Sequence, residues 1–174
     1  MKTAAEKLKI GTNTYDAIYF QLKDDSGNTV IPYEAPFEID GVRFTTIEQY
    51  ISYMKCILFG DKDSALSVLG TQRETRQREI AMGSEAFLET VWKGERQIIV
   101  IYGLLAQFRQ NPEIRDLLLS TGDAYLVSCS HMDVIYSCGY RIDEERRLDA
   151  AKWRGRNVLG FALMAVRDIL KKEQ

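Results

Sequence analysis

The sequence has few of the residues that usually mark a metal or disulfide site. It contains one histidine and three cysteines in 174 residues. The cysteines are odd in number and show no C-x-x-C spacing, which argues against a disulfide framework and against a structural zinc site. We therefore expect no bound metal. Cys129 and Cys138 lie among apolar neighbours, where a thiol pKa should rise, and we predict that they are core thiols.

The chain also lacks an excess of charge of one sign and a long apolar run. Its 25 acidic and 23 basic residues give a net charge of −2, so the overall field does not favour nucleic acid or anionic lipid as a partner. The longest apolar run, residues 98–106, is well short of the roughly 18 residues that span a bilayer. The N-terminus has no apolar core of a signal peptide. We expect a cytoplasmic protein that does not bind membranes.

The sequence does contain a succession of helical patterns with few strands. We predict strands over 16–22 and 124–130, and a hairpin at about 37–44 around Asp40-Gly41. Apolar spacing and capping signals predict about six helices, within residues 45–61, 61–70, 71–82, 84–110, 111–122 and 156–172. Residues 71–82 form either a polar, basic helix or a mobile connection. The fourth helix is either continuous or broken near Gly94. The predicted fold class is α+β, with a polar N-terminal arm over 1–14 and a single compact, helix-rich domain over 15–174.

Glu48 is the first candidate for chemistry. In Thr45-Thr46-Ile47-Glu48 it fits a capping box, in which the glutamate reaches back to the cap residue. Alternatively, a carboxylate in the first turn of a helix can act as a general base or stabilise a cationic transition state. Lys55 lies two turns further along nearly the same stripe, so it either faces the same cavity or is solvated.

Residues 126–139 hold the second candidate, Asp133. A carboxylate between apolar residues needs hydrogen-bond donors or a function, and capping of a turn is the structural alternative. His131 is interpreted as a loop histidine. Two groups of arginines suit an anion: Arg73, Arg76 and Arg78, if they are not simply a solvated helix face, and the arginines of 153–160, before a helix whose predicted cap is Asn157.

Four stretches resemble the NADAR family in their order, spacing and residue identities: residues 36–61, 91–123, 126–140 and 153–170. The resemblance implies a helix-rich α+β fold and hydrolysis of a ribose C1–N bond, without an organic cofactor or a metal. Family substrates include phosphorylated ribosylamino intermediates of riboflavin synthesis and ADP-ribose attached to guanine. Glu48 would stabilise the oxocarbenium-like transition state, with Asp133 as its companion. Further expected ligand-binding residues are Lys55, Trp92, Ser128, Tyr136, Ser137, Gly139, Arg154 and Asn157.

The sequence departs from the family pattern at five places. The family's Asp-x-x-Trp-Gly-x-Gly stretch appears here with Tyr136 and Ser137 in place of the tryptophan and the first glycine. Ser128 stands where a glutamate is common, and Gln107 stands where a lysine is expected. Two further departures are Gly83-Ser84 for Gly-Arg and Val30-Ile31 for Ser-Asn. In the family these positions face the pocket, so their loss would remove transition-state stabilisation.

Three functions stay open on this sequence. The first is a protein that binds an ADP-ribose-type or other ribosyl-nucleotide ligand with weakened or lost N-glycosidase activity, and so sequesters a nucleotide signal. The second is an active N-glycosidase with a changed substrate, which includes an ADP-ribosylated base. The third is an interaction or assembly module whose apolar 124–140 region forms an interface. The sequence identifies neither the ligand nor the oligomeric state.

Overall fold

The computed structural model describes residues 5–21, 35–83 and 85–173. In these ranges, residues 5–21 with 112–173 form one compact unit, called here the sheet unit, and residues 35–83 with 85–111 form a second, called the hairpin unit. The elements, in chain order, are β1 (Glu6–Ile10), β2 (Asn13–Phe20), β3 (Phe37–Ile39), β4 (Val42–Phe44), α1 (Ile47–Leu58), α2 (Lys62–Leu69), α3 (Glu74–Met82), α4 (Glu89–Gln110), α5 (Pro112–Leu119), β5 (Tyr125–Ser128) and α6 (Val158–Lys172). Two short 3₁₀ helices, Glu145–Leu148 and Ala150–Lys152, precede α6.

The sheet unit is built on three strands in the order β1-β2-β5. β1 pairs antiparallel with β2, and β2 pairs parallel with β5. β1 lies within the stretch predicted as a polar N-terminal arm over 1–14, and Leu8 at its centre is fully buried. Alternate side chains of a strand face opposite sides, so the lysines beside Leu8 point away from the core and give the segment its polar composition.

The hairpin unit begins with the predicted β3–β4 hairpin, which is confirmed. Asp40 and Gly41 have φ angles of 51° and 78°, the left-handed pair that a two-residue turn of this type requires. α4 packs against α1 at Gly103, where a Cβ would collide with the Tyr50 ring. α4 runs unbroken for 22 residues through Gly94, so the alternative of a break near Gly94 is wrong.

The α+β class and the six predicted helices are confirmed, with shifted boundaries. The strand predicted over 124–130 ends at Ser128, and α4 begins at Glu89, later than predicted. Asn111 lies between α4 and α5 and donates its side-chain N–H to the Gln107 carbonyl. Within the described part of the chain, no helix is long and apolar enough to cross a membrane. The single domain stays a prediction.

Candidate functional site

Glu48 lies in the first turn of α1, but it does not close a capping box. The cap is Thr46, whose hydroxyl accepts a hydrogen bond from the Gln49 N–H. Gln49 reaches back and accepts from the Thr45 N–H at 2.9 Å, so the capping pattern is shifted by one residue from the predicted one. The Glu48 carboxylate is instead held by Arg78 of α3, with Nε–Oε1 and Nη2–Oε2 distances of 2.9 and 3.2 Å.

The Arg78 contact changes the interpretation of both predicted features. The Glu48 carboxylate is oriented by a two-pronged guanidinium contact, which is the strong geometry for a carboxylate. Its side chain is 18% exposed, so it is available to a small molecule. Arg78 does not belong to a phosphate-gripping cluster with Arg76, because Arg76 pairs with Glu79 at 3.1 Å. Sequence reasoning did not link Arg78 to Glu48, since 30 residues separate them.

Lys55 and Trp92 are brought together in the hairpin unit. The Lys55 ammonium lies 4.2 Å from the centre of the Phe87 ring and 5.5 Å from that of Trp92. Burial lowers the pKa of Lys55, and the carboxylates of Glu89 and Glu48 act in the opposite direction. The alternative of a simply solvated Lys55 is therefore wrong: it is a partly buried cation over two aromatic faces.

Asp133 caps a turn in the loop after β5. Its Oδ1 accepts hydrogen bonds from the N–H groups of Ile135 and Tyr136, both at 2.8 Å. This is the structural alternative raised from the sequence, and it uses one carboxylate oxygen. The partly buried Tyr136 also accepts a hydrogen bond from Leu159 through its carbonyl. A catalytic role for Asp133 stays a prediction, while its structural role is shown by these two bonds.

Two of the departures from the family pattern contact each other. The hydroxyl oxygens of Ser128 and Ser137 are 2.9 Å apart, and the two residues are only 3% and 4% exposed. The serine that replaces a family glycine thus supplies the hydrogen-bond partner of the serine that replaces a family glutamate. Each hydroxyl is enclosed and engaged by the other, and a carboxylate is absent at position 128.

Asn157 precedes α6, but its side chain does not cap the helix as predicted. Its Oδ1 accepts from the Ser128 N–H and its Nδ2 donates to the Leu126 carbonyl, both at 2.9 Å. Asn157 therefore binds the edge of β5 as a further strand would. Its φ angle of 50° is left-handed, a conformation that asparagine tolerates better than most residues.

The N-terminus of α6 is closed by the loop that contains Asp133. The N–H groups of Asn157, Val158 and Leu159 donate to the carbonyls of Ser137, Ile135 and Tyr136, at 3.0 to 3.2 Å. A helix N-terminus binds an anion through N–H groups that have no other acceptor. Since these N–H groups already have acceptors, the N-terminus of α6 does not contribute them to the anion site predicted for residues 153–160.

Gly139 and Arg154 also serve the fold of this loop. Gly139 has a φ angle of 84°, and a Cβ on it would lie 2.8 Å from the backbone nitrogen of Gly155. The Arg154 guanidinium lies 4.4 Å from the centre of the buried Tyr140 ring. Gly139 is therefore required for a close backbone approach, and Arg154 covers an aromatic face. Ligand binding by either residue stays a prediction.

The remaining polar candidates are the two cysteines, His131 and the other departures from the family pattern. Cys129 and Cys138 are free and buried, as predicted, and a hydrogen bond between them together with burial raises the pKa of Cys129. His131 lies in an exposed bend of the loop, as predicted. Gln107, where the family has a lysine, is buried and donates to the Ala35 carbonyl at 2.8 Å. Ser84, Val30 and Ile31 lie outside the described residues.

The comparisons with known proteins agree with this fold. The family model for the NADAR domain matches residues 11–171. The chain therefore belongs to the NADAR family. An NMR structure of the Escherichia coli protein YbiA matches with a TM-score of 0.68 at 24% identity, over 89% of this chain and 86% of that one. That likeness shows a shared fold.

Curated relatives share about a third or less of their residues with this chain. An N-glycosidase of Acanthamoeba polyphaga mimivirus is 29% identical over 72% of this chain and 74% of its own length. The protein irg-1 of Caenorhabditis elegans is 31% identical over 76% of this chain and 64% of its own length. An N-glycosidase of Nostoc punctiforme is 30% identical over 76% and 78% respectively. The family thus contains proteins named as N-glycosidases.

Proposed function

We propose that this protein binds an ADP-ribose-type or another ribosyl-nucleotide ligand, and that its N-glycosidase activity is weakened or lost. The observation that carries this proposal is the hydrogen bond between Ser128 and Ser137. A carboxylate expected at position 128 is replaced by a hydroxyl that is enclosed and engaged within the fold. A missing pocket carboxylate removes charge stabilisation from a cationic transition state more than it removes ground-state binding.

Gln107 supports the same proposal. Its amide is neutral, fully enclosed and hydrogen-bonded to Ala35, whereas the family pattern has a lysine there. A neutral buried amide supplies neither a positive charge nor a titratable amine. A protein with a retained fold and a weakened reaction would hold its ligand intact, and so sequester a nucleotide signal. A cytoplasmic location is part of this proposal, because the ligand is a metabolite or a signalling nucleotide.

The second candidate function is an active N-glycosidase acting on ADP-ribosyl-guanine or on a ribosylamino intermediate. It is favoured by Glu48, which keeps its place on α1 and is oriented by Arg78. The curated relatives named as N-glycosidases support it as well. On this proposal the substrate has changed together with the altered pocket positions, and Glu48 still performs the reaction.

Thermal unfolding in the presence of single ligands tests the binding proposal. The panel contains ADP-ribose, cyclic ADP-ribose isomers, NAD and ribosylamino-pyrimidine phosphates. A ligand at 100 times its dissociation constant should raise the free energy of unfolding by about 2.7 kcal/mol. Glu48→Gln should keep this shift if Glu48 acts only in the reaction. No shift with any ligand, at concentrations up to the millimolar range, would overturn the proposal.

A further inference from the structure

Arg96 is a buried arginine on the face of α4 that packs against α1. It lies one turn after Trp92 on the stripe of buried residues that continues to Val100 and Gly103. The two ends of this stripe meet α1, since Gly103 contacts Tyr50 and the Trp92 ring lies near Lys55. Arg96 therefore occupies a position in the helix pair where an apolar residue is expected.

The Arg96 guanidinium has a nitrogen, Nη1, without a hydrogen-bond partner in the described part of the chain. The residue is 4% exposed, and its Nη1 is enclosed without a hydrogen-bond acceptor. An arginine side chain cannot release its proton at physiological pH. A buried charge that is incompletely paired destabilises the fold. The fold therefore carries a cost here that an anion from outside would offset.

Arg167 and Arg147 are two other buried arginines, and both have hydrogen-bond acceptors. Arg167 is 3% exposed, and its Nη1 donates to the Thr121 hydroxyl and the Ala124 carbonyl, both at 2.8 Å. Arg147 is 8% exposed and holds both carboxylate oxygens of Glu6, at 2.8 and 2.9 Å. Arg147 and Arg167 each also have an enclosed Nε without an acceptor. Both nevertheless have acceptors for a terminal nitrogen, whereas Nη1 of Arg96 has none.

The charges near Arg96 favour an anion. Lys55 is a second cation near the same Trp92 ring, and it forms no ion pair with a described residue within 4.0 Å. The nearby carboxylates have other partners, since Glu48 binds Arg78 and Glu89 lies 3.5 Å from the Lys93 ammonium. Two cations on neighbouring helices suit a phosphate group, whose oxygens accept hydrogen bonds from both.

We propose that Arg96 binds a phosphate group of the ligand, with Lys55 contributing a second positive charge. This inference rests on the proposed function, and it names the part of the ligand that the hairpin unit recognises. The diphosphate of ADP-ribose and the monoester of a ribosylamino pyrimidine carry the same phosphate oxygens. The guanidinium offers them the paired donors that a phosphate accepts.

The test compares Arg96→Met with the matched variant Arg167→Met, because both residues are equally buried. Arg96→Met removes an incompletely paired charge, so it should leave the unfolding midpoint of the free protein unchanged or raised, whereas Arg167→Met should lower it. Calorimetric titration with ADP-ribose, ribose 5-phosphate, inorganic pyrophosphate and adenosine measures the affinity of each variant for these ligands. Arg96→Met should weaken the three phosphate probes by at least about tenfold and leave adenosine unchanged.

The probes separate the ligand sources and the two proposals. Preference for ADP-ribose over ribose 5-phosphate assigns the diphosphate, and the reverse assigns the monoester. Binding of pyrophosphate that depends on Arg96, without binding of any nucleotide, would keep the anion site and overturn the proposed function. Equal affinity of the wild-type protein and Arg96→Met for every phosphate probe, or a loss of stability in Arg96→Met as large as in Arg167→Met, would overturn the role of Arg96.

Discussion

The polar residues around β5 and those between α1 and α4 differ in how completely they are satisfied. In the sheet unit, Asp133, Ser128, Ser137 and Asn157 all hydrogen-bond within the loop or to β5. In the hairpin unit, Nη1 of Arg96 has no hydrogen-bond partner among the described residues, and burial lowers the pKa of Lys55. Buried polar groups that satisfy one another specify a fold, whereas those left unsatisfied indicate a ligand or a function. The sheet unit also holds enclosed atoms without a hydrogen-bond partner, among them Tyr19 Oη and Arg115 Nε, so the difference is one between these two clusters and not between whole units. We infer that Arg96 and Lys55 are the better candidates for ligand recognition.

The largest loss of stability is expected from a substitution of Asn157, which tests whether the polar cluster at β5 stabilises the fold. Asn157→Gly keeps the left-handed backbone accessible but removes both side-chain bonds to β5, so the Ser128 N–H and the Leu126 carbonyl lose their partners. We expect the free energy of unfolding to fall by about 3 kcal/mol, measured by urea denaturation. Asn13→Ala, at an exposed position of β2, is the control and should change it by less than about 0.5 kcal/mol. A similar small change in Asn157→Gly would show that the β5 cluster does not stabilise the fold.

A smaller effect is expected for the Ser128–Ser137 pair. Ser128→Ala and Ser137→Ala should each lower the free energy of unfolding by about 1 kcal/mol, because each leaves one enclosed hydroxyl without its partner. The double variant should lose less than the sum of the two, by about 1 kcal/mol. Denaturant unfolding of the four proteins measures this coupling. Strict additivity would mean that the two hydroxyls do not depend on each other.

The smallest effect concerns Lys55 and pH. Since burial lowers the pKa of Lys55 below its usual 10.5, the folded state binds this proton less tightly than the unfolded chain. Between the lowered pKa and 10.5, the unfolded chain therefore carries more protons, and stability due to Lys55 rises with pH. The wild-type protein should gain stability relative to Lys55→Met across that window, in urea denaturation at stepped pH.

Lys62→Met, on the exposed side of α2, is the matched control for this experiment. The stability difference between the wild-type protein and Lys62→Met should stay nearly constant over the same pH range. A wild-type advantage over Lys55→Met that falls as pH rises would reverse the sign and show that Lys55 is stabilised by a carboxylate rather than strained by burial.

Local patterns predicted the elements of the fold because their causes are local. The Asp40-Gly41 dipeptide sets the hairpin turn by its own φ preferences, and apolar spacing placed α1 (Ile47–Leu58) within the predicted range 45–61. β1 was missed because its alternation of charged residues with Leu8 and Ile10 covers only five residues. The start of α6 was expected at Asn157, and the helix does begin directly after it, although the capping role is filled by carbonyls from residues 135–137.

The sequence predicted single residues of the site but not the contacts between them, because the contacting residues are distant in sequence. Thr45 with Glu48, and Thr46 with Gln49, both fit the spacing of a capping box. In the structure Thr46 and Gln49 form the cap, while Glu48 contacts Arg78. The Ser128–Asn157 bond spans 29 residues, so no spacing rule indicates it. Arg96 had one available signal: it lies four residues after Trp92, in the stripe of α4 where apolar residues recur.

A single-turnover reaction tests the central claim most directly. The protein, in molar excess, is incubated with ADP-ribosylated guanosine and, separately, with a ribosylamino-pyrimidine phosphate, and the products are separated by chromatography beside Escherichia coli YbiA as the reference N-glycosidase. The account predicts that a ligand which stabilises the protein is recovered intact while YbiA or another family enzyme cleaves its own substrate. Release of free base or amine that Glu48→Gln abolishes would contradict it and establish an active enzyme.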